Sequence, residues 1–170
     1  MKNNKAFTLI ELLVVVLIIG VLAAIAVPQY QKAVDRSKFT QLRLAVKAIA
    51  NAEEAFYAAN GRYANSFTEL DISFPQGSYG KVKNDDDRIF FEWGRCSVYN
   101  SYPSCSLKDV NVDYYIRLAN VTTAWKKTMC TAETASKRAM ELCELEIPNN
   151  TKIPTDNGTC VYPCTVFYPR

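Results

Sequence analysis

Residues 7–34 read FTLIELLVVVLIIGVLAAIAVPQYQKAV. Between Phe7 and Val27 the only charged side chain is Glu11, and about 20 apolar residues at a rise of about 1.5 Å each cross a hydrocarbon core of about 30 Å. A helix that is hydrophobic all round has no face to show to water, so this stretch meets lipid or other helices. A lone acid in such a setting is costly, about 2.5 to 3.5 kcal/mol for Asp at a helix centre and less near the ends. Glu11 therefore needs a partner or a proton.

Past Pro28 the pattern becomes amphipathic. Leu42, Ala45, Ile49, Ala52, Phe56 and Ala59 recur at alternating steps of three and four, while Lys38, Arg43, Lys47, Glu53 and Glu54 fall mainly off that stripe. This is one face of a helix. Asn60-Gly61 supplies a stop through a left-handed cap. A single helix from about Phe7 to Ala59, roughly 80 Å long, is expected to bury the stripe on the rest of its own chain.

Residues 60–170 have mixed polarity and enough aromatic side chains for a modest core. NGRYANSFTELDISFPQG, residues 60–77, is rich in breakers and reads as a loop with a short turn at Phe67–Leu70. Strand-like stretches follow at Arg88–Trp93, Ser97–Tyr99, Val112–Leu118, Val121–Lys126 and Val161–Tyr168, with Val112, Tyr114, Ile116 and Leu118 on one face. Thr131–Leu142 reads as a second short helix with Ala135, Ala139 and Leu142 on one side. The expected fold class is α+β, a long N-terminal helix packed on a small antiparallel sheet.

All six cysteines, Cys96, Cys105, Cys130, Cys143, Cys160 and Cys164, fall in this second part. An even number confined to one region downstream of an apolar segment reads as disulfides in an oxidising compartment. Zinc is disfavoured, because there is no Cys-x-x-Cys pair and no histidine. Six cysteines allow fifteen connectivities; local pairs are favoured, Cys96 with Cys105, Cys130 with Cys143 and Cys160 with Cys164. A bridge needs Cα atoms within about 7 Å, so Cys130 and Cys143 can pair only if the second helix starts late and the chain folds back.

Catalysis finds no support. Histidine is absent, there is no Gly-x-Ser-x-Gly or phosphate-binding loop, and no carboxylates are spaced as an acid/base pair. No cofactor and no catalytic or metal residue is assigned. Asn84–Asp87 (NDDD) has the oxygen ligands of a Ca²⁺ loop, but a solvated turn before the Arg88 strand is the simpler reading. The net charge of +3 gives no reason to expect nucleic acid; Trp125, Lys126 and Lys127 read as the end of a strand.

Three readings compete for the N-terminus. A secretory signal would use Ala24-Ile25-Ala26 as its cleavage site before Val27, yet such a core runs about 7 to 15 residues and excludes charge. A plain single-pass anchor would let Glu11 lean into the headgroups. The third accounts for more residues together. Lys5-Ala6, then Phe7-Thr8-Leu9-Ile10-Glu11-Leu12-Leu13, an apolar run, Pro28 and Gln29-Tyr30 closely resemble the start of type IV prepilins and the related pseudopilins.

That resemblance implies a basic leader, residues 1–6, removed by a dedicated peptidase between Ala6 and Phe7, and methylation of the new amine at Phe7. Ala6 stands where the family usually has glycine. Residues 7–27 would then be the transmembrane and polymerisation helix, 28–59 its amphipathic continuation and 60–170 the disulfide-braced head.

Glu11 becomes the fifth mature residue, one helical turn from the cationic amine; in a filament it would meet the amine of another subunit. A plainer role also exists, a negative charge at a helix start, worth about 0.3 to 1 kcal/mol. Gly20 and Pro28 weaken the helix and by resemblance mark where pilins extend, although membrane helices tolerate both residues.

The resemblance implies a homopolymer as well as a prepilin peptidase, an assembly platform protein and an assembly ATPase. The chain would be stored in a bacterial inner membrane with its C-terminal domain on the periplasmic side, then enter an extracellular pilus. A periplasmic type II secretion pseudopilus and a monomeric anchored or secreted binding module are the alternatives.

Overall fold

The computed structural model describes residues 7–74, 88–98, 102–118, 128–148, 150–155 and 164–169. One long helix, α1 (Leu9–Asn60), is followed by a 3₁₀ turn at Phe67–Glu69. Then come β1 (Arg88–Phe91), β2 (Gly94–Ser97), β3 (Ser104–Leu107), β4 (Val112–Ile116), β5 (Thr128–Glu133), α2 (Lys137–Glu146), β6 (Asn150–Thr155) and β7 (Cys164–Pro169). The strands form one seven-stranded antiparallel sheet in the order β1-β2-β3-β4-β5-β7-β6. The chain divides into two compact units, residues 1–35 and 36–170.

In the second unit the C-terminal part of α1 packs on the sheet. Phe39, Leu42, Ala45, Val46 and Ile49 share a core with Val112, Tyr114, Cys130, Ala132 and Phe167 of the sheet and with Ala139, Leu142 and Cys143 of α2. Strand alternation sends those sheet residues to one face, and the registers place Val112 opposite Ala132, Tyr114 opposite Cys130 and Cys130 opposite Phe167. Phe39 meets Tyr114 edge-on at 5.9 Å between ring centroids. Two ion pairs flank the core: Lys38 Nζ to Asp109 Oδ2 at 2.9 Å, and Arg43 Nε to Glu146 Oε1 at 2.7 Å.

The buried stripe differs from the expected one. Ala59 is exposed and Ala52 and Phe56 are only partly buried, whereas Glu53, placed off the stripe by its charge, is 1% exposed. The helical period continues through 42, 46, 49 and 53, and the core accepts a carboxylate there because it has work to do. The Ala64 N–H donates to Glu53 Oε2 at 2.9 Å. Next to it, the Asn65 N–H donates to Glu69 Oε2 at 2.8 Å, and Arg62 grips both oxygens of Glu69 at 3.1 and 2.9 Å. Gly61, at φ +70°, ends α1 as expected, its N–H donating to the Tyr57 carbonyl. Two carboxylates thus hold consecutive amides and turn the chain off the helix.

These carboxyls respond to pH in opposite senses. Hydrogen bonds from Arg62 hold Glu69 down at about 2, so its contribution to stability is present above the ordinary value of 4.5 and lost as pH falls towards 2. Burial pushes Glu53 up; its contribution is full below 4.5 and lost as pH rises through the raised value. Urea midpoints of the full chain in detergent, followed across pH, are expected to lose part of their acid-side fall in Glu69→Gln and part of their fall above 4.5 in Glu53→Gln. Profiles parallel to wild type in both variants would contradict this assignment.

Several expected elements move. The first strand stops at Phe91 because Glu92 and Trp93 form a tight turn into Gly94. A Cβ on Gly94 would lie 1.9 Å from the Ser106 carbonyl oxygen, which is why glycine stands there. The strand expected at Ser97–Tyr99 is β2, Gly94–Ser97, and β3 and β6 were not expected at all. Ser-Cys-Ser-Leu has little β-branched character. Pro154 argues against a strand, but β6 is an edge strand, where proline is tolerated.

The helix expected at Thr131–Leu142 is overturned at its start: residues 128–133 are β5, and α2 begins at Lys137 behind Ser136, whose Oγ accepts from the Ala139 N–H. The strand expected at Val121–Lys126, residues Val161–Pro163 of the last strand, Tyr99, Asn84–Asp87, Trp125, Lys127 and Cys160 lie outside the described residues.

Candidate functional site

The first unit is the N-terminal stretch of α1. From Phe7 to Ala33 every residue is exposed, including large side chains such as Leu9 and Ile10. Its best eighteen-residue window has a mean hydropathy of 3.1 and no buried share. By length and composition the helix can cross a membrane, and water is a poor solvent for all of its faces. The helix runs unbroken through Gly20 and Pro28. Nothing lies within 4 Å of a Cβ added at Gly20, so packing within the subunit does not explain that glycine.

At the tip Glu11 is engaged. Its Oε2 accepts from the Thr8 N–H at 2.8 Å and from Thr8 Oγ at 2.6 Å, and the Glu11 N–H donates to Thr8 Oγ at 3.3 Å. This is a reciprocal capping box, with threonine at the helix boundary and glutamate three residues on. The plainer role for Glu11, support of the helix start, is thus present in the subunit. Thr8 is the functional residue that the sequence reading missed, although the Thr-x-x-Glu spacing announces it.

The cap also fixes where the carboxylate points. It is held over the end of the helix, next to the backbone of Thr8 and one residue from Phe7. In the uncut chain the nitrogen of Phe7 is a neutral amide. Phe7 is 76% exposed, and Ala6 lies outside the described residues.

The cysteines occupy the second unit. Cys96 and Cys105 are bonded across β2 and β3, where they are directly paired, with Cα atoms 4.0 Å apart. Cys130 on β5 is bonded to Cys143 on α2 at 5.5 Å. All four are buried. Of the third local pair, Cys160 lies outside the described residues and Cys164 begins β7.

The prokaryotic N-terminal methylation motif matches residues 1–27. The chain is 37% identical over 100 residues to the type IV major pilin protein PilA of Myxococcus xanthus (strain DK1622), covering 58% of this chain and 43% of that one. It is 43% identical over 77 residues to a fimbrial protein of Pseudomonas aeruginosa, 45% of this chain and 50% of that one. It is also 40% identical over 79 residues to the type II secretion system core protein G of P. aeruginosa, 45% of this chain and 56% of that one. The chain thus spans about half the length of the curated relatives it matches. No solved structure matches it. With the methylation motif at its start, a long apolar helical stretch behind it and an antiparallel sheet in its second unit, the chain is similar to type IV pilins and to a type II secretion core protein.

Proposed function

We propose that this chain is the structural subunit of a type IV pilus-like filament, made as an inner-membrane precursor, cut between Ala6 and Phe7, N-methylated at Phe7 and polymerised through the first half of α1. The observation that carries this reading is the helix that is apolar on all sides, bare in the subunit, with one carboxylate held at its tip. Such a surface stays in lipid until neighbouring helices replace the lipid. Burial of each large apolar side chain is worth about 1.5 to 3 kcal/mol, which favours a bundled filament core once subunits leave the membrane.

Glu11 would pair with the amine of an adjoining subunit and set axial register. Gly20 and Pro28 would let the helix stretch or melt locally in the filament. The segments are residues 1–6 as leader, 7–27 as polymerisation helix, 28–59 as its continuation and 60–170 as the displayed head, with Cys160 bonded to Cys164. Disulfides belong to oxidising compartments, which supports placing the head on the periplasmic side. A prepilin peptidase, an assembly platform protein and an assembly ATPase are the implied machinery.

Likeness to the type II secretion core protein G supports a second reading, a pseudopilin that polymerises in the periplasm. Shearing separates the two readings, since a pilus is released from the cell surface and a pseudopilus is not. The common core of both is tested by intact mass of the polymer subunit. A chain beginning at N-methylated Phe7 is expected; a chain beginning at Met1 or Val27 would contradict it. Ala6→Gly is expected to speed processing, by up to about tenfold for one methyl in a tight pocket, followed as the ratio of precursor to mature mass after a pulse of synthesis.

A further inference from the structure

Between α1 and α2, within the second unit, lies a groove of about 280 Å³ lined by Arg36, Phe39, Thr40 and Arg43 on one side and Leu142 and Leu145 on the other, with Glu146 at its edge. Its chemistry is mixed in a specific way. Two guanidiniums stand among apolar walls, and Leu145 is 58% exposed. Glu146 is already committed, since its Oε1 lies 2.7 Å from Arg43 Nε and accepts from the Tyr114 hydroxyl at 3.3 Å. Among the described residues no carboxylate is paired with Arg36. The groove therefore carries an uncompensated cation beside an apolar surface.

We propose that this groove holds the phosphate headgroup of an anionic phospholipid while the subunit is stored in the membrane, an inference that rests on the membrane-stored stage of the proposed function. Arginine suits the task, because its planar fork matches phosphate oxygens in pairs. Leu145 and the wall formed by Phe39 and Leu142 suit the glycerol and upper acyl carbons. The position along the chain also fits. Arg36 follows Val27, the last residue of the apolar run, by nine positions in the chain, and long basic side chains near a span reach back to the interface.

The site is built in advance of its ligand. Phe39 is wedged against Tyr114, Arg43 is oriented by Glu146, and α2 is bonded to β5 through Cys130–Cys143. Little ordering remains to be done on binding. The competing occupant, an acidic side chain of a second copy, would use the same cations but has no use for the exposed Leu145.

The test uses the full-length precursor in nanodiscs of phosphatidylcholine with and without phosphatidylglycerol, followed by native mass spectrometry of the lipid retained after gentle detergent extraction. Wild type is expected to retain phosphatidylglycerol in preference to phosphatidylcholine. Arg36→Gln is expected to reduce that retention about fivefold to tenfold, Arg36→Lys to restore part of it, and Arg95→Gln, at an exposed position on β2, to leave it unchanged. Because Arg36 is exposed, its variants are expected to fold; a near-UV circular dichroism spectrum like that of wild type checks this.

Failure of wild type to insert would overturn the membrane-stored stage itself. Insertion without preference for the anionic lipid, or equal loss in Arg95→Gln, would overturn the headgroup site alone. Retention that is unaffected by Arg36→Gln, while cross-linking between copies falls, would assign the groove to a second subunit and overturn the proposal.

Discussion

Glu11→Val is expected to leave membrane insertion intact and to reduce filament yield more than about a hundredfold, and Glu11→Gln to do nearly the same. The pair of variants separates the two jobs of this carboxylate. As a capping residue it is worth about 0.5 to 2 kcal/mol, and glutamine fills that position in a capping box almost as well. As the partner of a buried ammonium it is worth more, because removing one member of a buried pair leaves the other uncompensated at a cost of about 3 to 5 kcal/mol, or more than about a hundredfold in an association constant. Glutamine keeps the shape and loses the charge. Counting sheared filaments from cells that express each variant at equal level checks the expectation. Normal yield from Glu11→Gln would reduce Glu11 to a helix cap.

Cys130→Ala/Cys143→Ala is expected to lower the stability of the second unit by about 2 to 4 kcal/mol, read as the urea midpoint of the full chain in detergent. The bond joins the middle of the sheet to α2 across 5.5 Å with a sequence separation of 13. Without it α2 is held to β5 by packing alone, while the Arg43–Glu146 pair ties α2 to α1. Loss of Cys96–Cys105 is expected to matter less. Its separation is 9 rather than 13, so it closes a shorter loop in the unfolded chain, a difference of about 0.3 kcal/mol. An unchanged midpoint for the Cys130/Cys143 double variant would contradict the stapling role of this bond.

What the sequence made legible depended on whether the signal was local. The apolar run, the stop at Asn60-Gly61 and the alternation from Val112 to Leu118 are patterns within one element, and each has its counterpart in the fold. β3 is another matter. Ser104–Leu107 becomes a strand because β2 and β4 lie on either side of it, a cause absent from its own four residues. β5 was hidden inside a helical pattern, and the cysteines held the clue. Cys130 and Cys143 cannot meet across a complete helix, and the late start at Lys137 is what brings them together.

Glu53 was misplaced for a related reason. A stripe sought among apolar residues alone passes over a buried carboxylate whose partner is an amide eleven positions away. Thr8 was readable from its spacing to Glu11. The partner proposed for Glu11 in the filament belongs to another copy, so no pattern in a single chain can exhibit it.

The central claim is that the carboxylate of one subunit meets the terminal amine of another. It is tested most directly by solid-state NMR dephasing in filaments assembled from two pools of subunits, one ¹³C-labelled at glutamate carboxyls and the other ¹⁵N-labelled at phenylalanine. The account predicts dephasing of the Glu11 carboxyl by the Phe7 nitrogen of the other pool, at a nitrogen-to-oxygen separation of about 4 Å or less. Filaments that form without any dephasing between the pools would contradict it.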